Sequence, residues 1–111
     1  MIGEVVVIGD LKLRSDASLD EYAKLGERMY GIVSRMPGFL SVKSFKADDG
    51  ERLTVVWWEN EETLRGWREQ ARHRLAQQMG REQWYEYYKM DVAEVIRTSQ
   101  FERKTETPIE S

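Results

Sequence analysis

Residues 52–58, Arg-Leu-Thr-Val-Val-Trp-Trp, decide the fold, because they are rich in the β-branched and aromatic residues typical of strands. Side chains alternate between the two faces of a strand. Both faces are largely apolar here, one carrying Leu53, Val55 and Trp57 and the other Thr54, Val56 and Trp58. A strand of this kind must be covered on both sides. Helices can cover one side, and the other side needs a second cover.

A second copy of the chain is the simplest second cover. A two-fold axis would bring the same sheet face of each copy together. The alternative is that a long C-terminal strand and the tail fold over this face within one chain. We favour the second copy, and the sequence therefore predicts a homodimer.

The pattern on either side of this strand predicts an α+β domain. Ser18 and Glu21 form a capping-box signature at the start of a helix, Pro37-Gly38 ends that helix, and Asp48-Asp49-Gly50 is a hairpin signal. The order β-α-β-β-α-β is the split βαβ, ferredoxin-like arrangement with an antiparallel sheet. We expect a domain over residues 1–101 and a polar tail over 102–111. The predicted elements are strands 4–13, 39–47, 52–59 and 90–101, a helix 19–36, and a second helical region in two pieces, one capped by Asn60 and broken at Gly80 and the other a short aromatic helix 81–88.

Composition narrows the class of protein. The chain has 111 residues, a formal net charge of −3 and no cysteine. A nucleic-acid binder normally carries a basic excess, so we expect no nucleic-acid partner. The apolar run Val5-Val6-Val7-Ile8 is too short to span a membrane, and we expect a cytoplasmic protein. A single histidine without cysteines also makes a metal site improbable.

Several short motifs together resemble the antibiotic biosynthesis monooxygenase family over roughly residues 3 to 101. That resemblance implies a homodimer whose two sheets form an α+β barrel. Some members of the family oxidise polyketide-derived phenols to quinones with O2 and without metal or flavin, whereas others bind and degrade haem. The matching motifs are Pro37-Gly38-Phe39, Val56-Trp57-Trp58-Glu59-Asn60, Leu64, Trp67, His73 and Arg81-Glu82-Gln83-Trp84-Tyr85.

The haem-degrading branch can be compared residue by residue. Trp67 matches its conserved tryptophan, but Gly9 stands where that branch has an asparagine near the end of the first strand. Gln77 stands where it has the iron-ligating histidine, ten residues after the tryptophan. An amide oxygen is a poor haem ligand beside an imidazole. We therefore expect no cofactor and no haem degradation of that type.

His73 and Trp58 are the candidate catalytic residues. His73 could hold a phenol or enol or accept its proton, because imidazole titrates near neutral pH. It reaches a cavity only if the helix kinks around residues 69–72, and in an unbroken helix it would face water. Trp58 could stack on a planar substrate and donate its indole N–H to an oxyanion, or it could simply pack in the core.

Four further residues are candidates for substrate binding. Aromatic residues at 84–88 are too many for one helix face to bury, so some of them could line a cavity, contact a partner or form a satellite cluster. The substrate-binding candidates are Tyr30, Trp84, Trp67 and Gln77.

The sequence supports three hypotheses about function. The first is a cofactor-independent monooxygenase acting on a planar aromatic or enolic small molecule. The second is a dimer that binds haem or another small planar ligand without oxygenase turnover. The third is a purely structural dimer. Pattern alone does not reveal the substrate.

Overall fold

A computed structural model describes residues 3–103 of the chain, apart from the side chains of residues 71, 72, 75 and 76. Its strands form one antiparallel sheet in the order β2-β3-β1-β4, which confirms the predicted α+β, ferredoxin-like class. Residues 104–111, most of the predicted tail, lie outside the described part. The elements are β1 (Val5–Leu13), α1 (Leu19–Val33), β2 (Phe39–Lys46), β3 (Arg52–Trp58), α2 (Glu61–Arg68), α3 (Ala71–Met79), a π-helical turn (Gly80–Trp84) and β4 (Tyr85–Glu94).

Helix α1 begins as predicted but ends three residues early. Ser18 Oγ accepts a hydrogen bond from the Glu21 backbone N–H at 3.2 Å and caps its start. After Val33, the N–H of Met36 bonds to the Val33 carbonyl, an i→i−3 bond that tightens the last turn. Pro37 explains the early end, because a proline disfavours helical geometry in the residue before it.

Position 38, in the Pro-Gly-Phe motif, requires glycine both for its backbone conformation and for lack of space. Its φ is +85°, a left-handed conformation that costs other residues energy. A Cβ at this position would also overlap the Thr63 side chain at the start of α2. The Gly38 carbonyl accepts the Glu59 N–H at 2.8 Å. The motif thus joins the beginning of β2 to the end of β3.

The chain after Gly80 differs from its prediction. The predicted helix 81–88 is helical only to Trp84, as a π-helical turn, because β4 begins at Tyr85. The last strand, predicted over 90–101, therefore begins earlier and ends at Glu94. A register shift lies opposite Lys12 and Leu13 and lets both Tyr85 and Tyr88 face the helices, while Tyr87 faces the other way. Trp84 is buried just before the strand. The bulged strand thus places its aromatic residues on both faces of the sheet, whereas one helix face could not bury them all.

The antiparallel register arranges the helix-facing side chains in rows that cross the sheet. One row, at the end of the sheet near the β2–β3 turn, is Lys46–Arg52–Leu11–Tyr88, and the next is Ser44–Thr54–Gly9–Met90. Val42–Val56–Val7–Val92 follows, and Phe39–Trp58–Val5–Glu94 closes the opposite end. Buried residues concentrate at the Trp58 end, where the core contains Val5, Val7, Val33, Trp58, Leu64 and Trp67.

The opposite side of the sheet, here called the outer face, carries no helix among the described residues. Its apolar members are only partly buried or exposed. The described C-terminal segment does not cover them, because residues 95–103 form no strand and leave Ile96 and Phe101 82% and 80% exposed. The apolar residues of the outer face are Val6, Ile8, Phe45, Leu53, Val55, Trp57 and Tyr87.

Candidate functional site

A cavity of about 750 Å³ lies between the helix-facing side of the sheet and the three helices. Most of its wall is apolar or aromatic, as in sites for small organic molecules. Gly9 contributes to the sheet side of this wall and supplies no side chain to fill the space. The cavity is also lined by Leu25, Met29, Val33, Val42, Val56, Leu64 and Met90.

Trp58 closes one end of the cavity and has an unsatisfied donor. Its side chain is fully buried, and Phe39 packs edge-on against it with ring centres 5.9 Å apart. The Trp58 Nε1 has no hydrogen-bond partner among the described residues. Leaving a buried donor unpaired costs about 1–3 kcal/mol. A ligand oxygen in the cavity could supply the missing acceptor.

His73 lies in the cavity wall beside Trp67. Helix α2 ends at Arg68 and α3 begins at Ala71, so the helical region is interrupted where the sequence required it to be. The rings of Trp67 and His73 are 4.3 Å apart and tilted by 36°. Burial lowers the pKa of His73 from 6.5 to about 4. The imidazole is therefore neutral at pH 7 and can both donate and accept a hydrogen bond.

A set of tyrosine side chains forms the part of the cavity wall between α3 and α1. Gln77 Nε2 donates to Tyr88 Oη at 3.2 Å, and Tyr88 stacks on Tyr85 with ring centres 5.2 Å apart. Tyr85 meets Tyr22 edge-on at 6.5 Å. Burial raises the pKa of all three tyrosines, so their phenol groups stay neutral at pH 7 and remain possible donors.

The structure brings five of the six candidate residues to the cavity. Trp58, Trp67, His73 and Gln77 lie in its wall, and Tyr30, 56% exposed, lies at its edge. Trp84 does not line the cavity, because it is buried behind Tyr22 at a ring distance of 5.9 Å.

Sequence reasoning missed a second group of wall residues. They come from α1, β2, β3 and β4, and the strand register brings those of the sheet together. Alternation along β3 could have indicated Arg52 and Thr54, because they share a face with Trp58. The missed residues are Tyr22, Ser44, Arg52, Thr54 and Met90; Tyr85 and Tyr88 also line the cavity and belong to the aromatic residues at 84–88 for which a place in a cavity wall was one alternative.

The low pKa of His73 predicts a dependence of stability on pH. The unfolded chain takes up a proton on His73 as the pH falls below 6.5, whereas the folded chain resists until about pH 4. Stability from this group is therefore complete above pH 6.5 and is lost toward pH 4. Because the ring is partly exposed, we expect a loss of about 1–2 kcal/mol. Urea unfolding at pH 7 and pH 5 measures it.

His73→Gln is the control for that measurement. Other titrating groups, such as Glu51 with its raised pKa beside Asp10, contribute equally to both proteins. The difference between the two proteins in how the free energy of unfolding changes from pH 7 to pH 5 therefore isolates the contribution of His73. Parallel stability curves for wild type and His73→Gln would show that the ring is not held neutral by burial.

The residues at the cavity do not fit a haem site of the type described above. Gly9 has no side chain to offer, and the amide nitrogen of Gln77 is engaged with Tyr88. Among residues 3–103, no group of three or more His, Cys, Asp or Glu side chains could hold a metal ion. No described helix is long and apolar enough to cross a membrane.

The four-stranded sheet, its helices and the cavity between them define a small ferredoxin-like α+β domain whose cavity has mainly apolar and aromatic walls. The model of the antibiotic biosynthesis monooxygenase family matches residues 4–79, and the chain belongs to that family. The uncharacterized protein YqjZ of Bacillus subtilis (strain 168) is 34% identical over 100 residues, covering 90% of this chain and 85% of YqjZ.

Solved structures share the fold at low sequence identity. SnoaB, a cofactor-independent oxygenase from Streptomyces nogalater, superposes with a TM-score of 0.72 at 14% identity, covering 86% of this chain and 96% of SnoaB. Rv0793 from Mycobacterium tuberculosis gives 0.76 at 17% identity, covering 87% and 99% of the two chains. At these identities the structural similarity shows the fold alone and does not identify the reaction.

Proposed function

We propose that this protein is a cofactor-independent monooxygenase that acts on a planar phenolic or enolic molecule bound in the cavity. Two observations carry the proposal: a cavity with mostly apolar and aromatic walls, and the presence in that wall of Trp58, whose buried Nε1 has no hydrogen-bond partner among the described residues. An oxyanion is the acceptor that such a donor would stabilise most. Membership of the family and the fold shared with SnoaB support the proposal.

The proposed reaction needs no external reductant. Conversion of a phenol to a quinone removes two hydrogen atoms and adds one oxygen atom, and this oxidation supplies all the electrons that both atoms of O2 require. One oxygen atom enters the product and the other leaves as water. The protein then has to bind the substrate, favour its anion and exclude bulk water.

In this proposal each candidate residue has a physical role. Neutral His73 accepts the substrate hydroxyl proton, and the resulting imidazolium is stabilised by the adjacent oxyanion, since an opposite charge favours the charged form. The N–H of Trp58 donates to that oxyanion. Trp67 holds the His73 ring, Gln77 orients Tyr88, and Tyr30 closes the edge of the cavity. Trp84 acts only by supporting Tyr22.

We further propose that two copies pair through the outer face. The apolar residues of that face and the exposed Ile96 have no cover within the described part of the chain. Asp10 Oδ1, on the same face, is buried without a hydrogen-bond partner among the described residues, and a partner donor could satisfy it. When the two outer faces pair, each sheet covers the other, and the two sheets together would form the barrel expected from the family.

Oxygen uptake with reduced naphthol- and anthrone-like phenols tests the proposed reaction. We expect turnover by wild type and a loss of about tenfold in kcat/KM in Trp58→Phe, because one hydrogen bond to an anion is worth about 1.5–3 kcal/mol. The phenylalanine retains a large buried ring, so thermal unfolding should change little. Binding of the phenols or of hemin without oxygen uptake would favour a non-catalytic ligand-binding dimer, and no binding would favour a structural dimer.

A further inference from the structure

The cavity is cationic at the end farthest from Trp58. Lys46 and Arg52 line this end, and the whole lining contains three cations, Lys46, Arg52 and Arg68, against the single acid Glu27, although the chain has a formal net charge of −3. Lys46 and Arg52 are direct cross-strand partners on the helix-facing side. A local excess of positive charge in a negatively charged protein favours an anionic group at this end of the cavity.

The guanidinium of Arg52 is held in place without being neutralised. Its Cζ lies 5.6 Å from the ring centre of Tyr22, in cation–π contact. Neither Arg52 nor Lys46 forms an ion pair with any residue that the structure describes. Glu51, the residue before Arg52, interacts instead with Asp10 and Lys12 on the outer face. The donors of Arg52 therefore remain available to a ligand.

Two hydroxyl groups add to this polar end, in the row of side chains next to Lys46 and Arg52 on the sheet. Ser44 Oγ and Thr54 Oγ1 lie 3.5 Å apart, and both residues line the cavity. The hydroxyls can donate to an anion that the two cations attract. The result is a polar group of two cations and two hydroxyls at one end and an apolar, aromatic space with one indole donor at the other.

The spacing of the two ends limits the shape of the ligand. Arg52 and Trp58 begin and end β3, and six residues of strand place their Cα atoms about 20 Å apart. The long side chain of Arg52 can lean along the strand and shorten that gap. A molecule that meets both ends must be elongated, with its anionic group remote from its reacting oxygen.

We infer that the substrate is a polycyclic phenol or enol that carries a carboxylate at the end opposite the reacting hydroxyl. Arg52 and Lys46 bind the carboxylate, with Ser44 and Thr54 as further donors, and the hydroxyl reaches Trp58 and His73. This inference rests on the proposed function and adds a residue-level rule for its specificity. Arg guanidinium groups match carboxylates in geometry, which favours a carboxylate over a neutral polar group.

Calorimetric titration with three non-reacting probes tests the inference. The first probe is 6-hydroxy-2-naphthoate, with its two groups at opposite ends, and the second is its neutral methyl ester. The third, 3-hydroxy-2-naphthoate, carries both groups side by side. We expect wild type to bind the first about tenfold more tightly than either other probe at low ionic strength, and to lose this preference as salt increases.

A double variant and a charge-matched control separate the possible causes. In Arg52→Gln/Lys46→Gln the three probes should bind with similar affinity, and the ester should bind as it does to wild type. The control Arg65→Gln removes a positive charge from an exposed residue of α2 outside the cavity and should keep the preference. Unfolding temperatures check that all variants remain folded.

The outcomes distinguish the two proposals. Equal binding of acid and ester by wild type, or a preference retained in the double variant, would overturn the carboxylate subsite and leave the phenol cavity standing. Failure of all three probes to bind would overturn the cavity as a phenol site and the subsite with it. An equal loss of preference in Arg65→Gln would attribute the effect to overall charge and would also overturn the subsite.

Discussion

Gly9→Leu is expected to block the cavity while leaving the fold intact. Gly9 lies on the cavity-facing side of β1 between Thr54 and Met90, so a leucine there would project into the space that a ligand needs. Forcing extra carbons into an occupied space costs typically about 1–3 kcal/mol. We therefore expect kcat/KM for phenol oxidation, and affinity for the naphthoate probes, to fall about 5- to 150-fold.

The control for this change is Gly9→Ala. A Cβ at residue 9 meets only the Thr54 carbonyl oxygen, at 3.8 Å, which is ordinary contact. Gly9→Ala should therefore bind and react much as wild type does. Glycine weakens a strand, so neither variant should lower the unfolding temperature. Unchanged ligand binding by a folded Gly9→Leu protein would place the ligand outside this cavity.

Val55→Lys is expected to convert the proposed dimer to monomer. Val55 lies in the centre of the outer face, between Ile8 and Lys43 on the neighbouring strands. Burying an unpaired ammonium group costs several kcal/mol, and a two-fold axis places two such groups in each dimer. We expect dimerisation to weaken by at least about 1000-fold, measured by sedimentation equilibrium over a range of protein concentrations.

Leu19→Lys is the matched control, because it makes the same kind of change on a different surface. Leu19 is 59% exposed at the start of α1, away from the sheet. This variant should sediment as wild type does. If wild type itself remains a single 13.1 kDa particle at high concentration, the paired barrel is wrong. The outer face would then need a different partner.

Local patterns were sufficient for the parts of the fold whose signals lie within a few residues of each other. Ser18 caps α1 as predicted, and Gly50, with a φ of +92°, forms the turn between β2 and β3. Residues 85–88 were predicted as helix but lie in β4, because their aromatic residues also fit a helix, whereas the predicted strand is confirmed over residues 90–94. Only pairing with β1, and the bulge opposite Lys12 and Leu13, selects the strand.

The candidate site was partly accessible from sequence. His73 and Trp67 were identified through the family pattern, and their contact at 4.3 Å depends on the break between α2 and α3. Arg52 was missed because a charged residue at the start of a strand usually faces water. Trp84 was expected in the cavity wall and is buried behind it, since the π-helical turn carries it away from β4.

The order of elements, the two-sided apolar strand β3 and membership of a family of α+β proteins follow from the sequence alone, because each depends on periodicity or on a short motif. The tertiary structure decided which residues share the cavity, how far apart its indole and cationic ends lie, and that the Trp58 N–H has no partner among residues 3–103 with described side chains. Those properties depend on register and burial, which join residues far apart in the chain and leave no local signal.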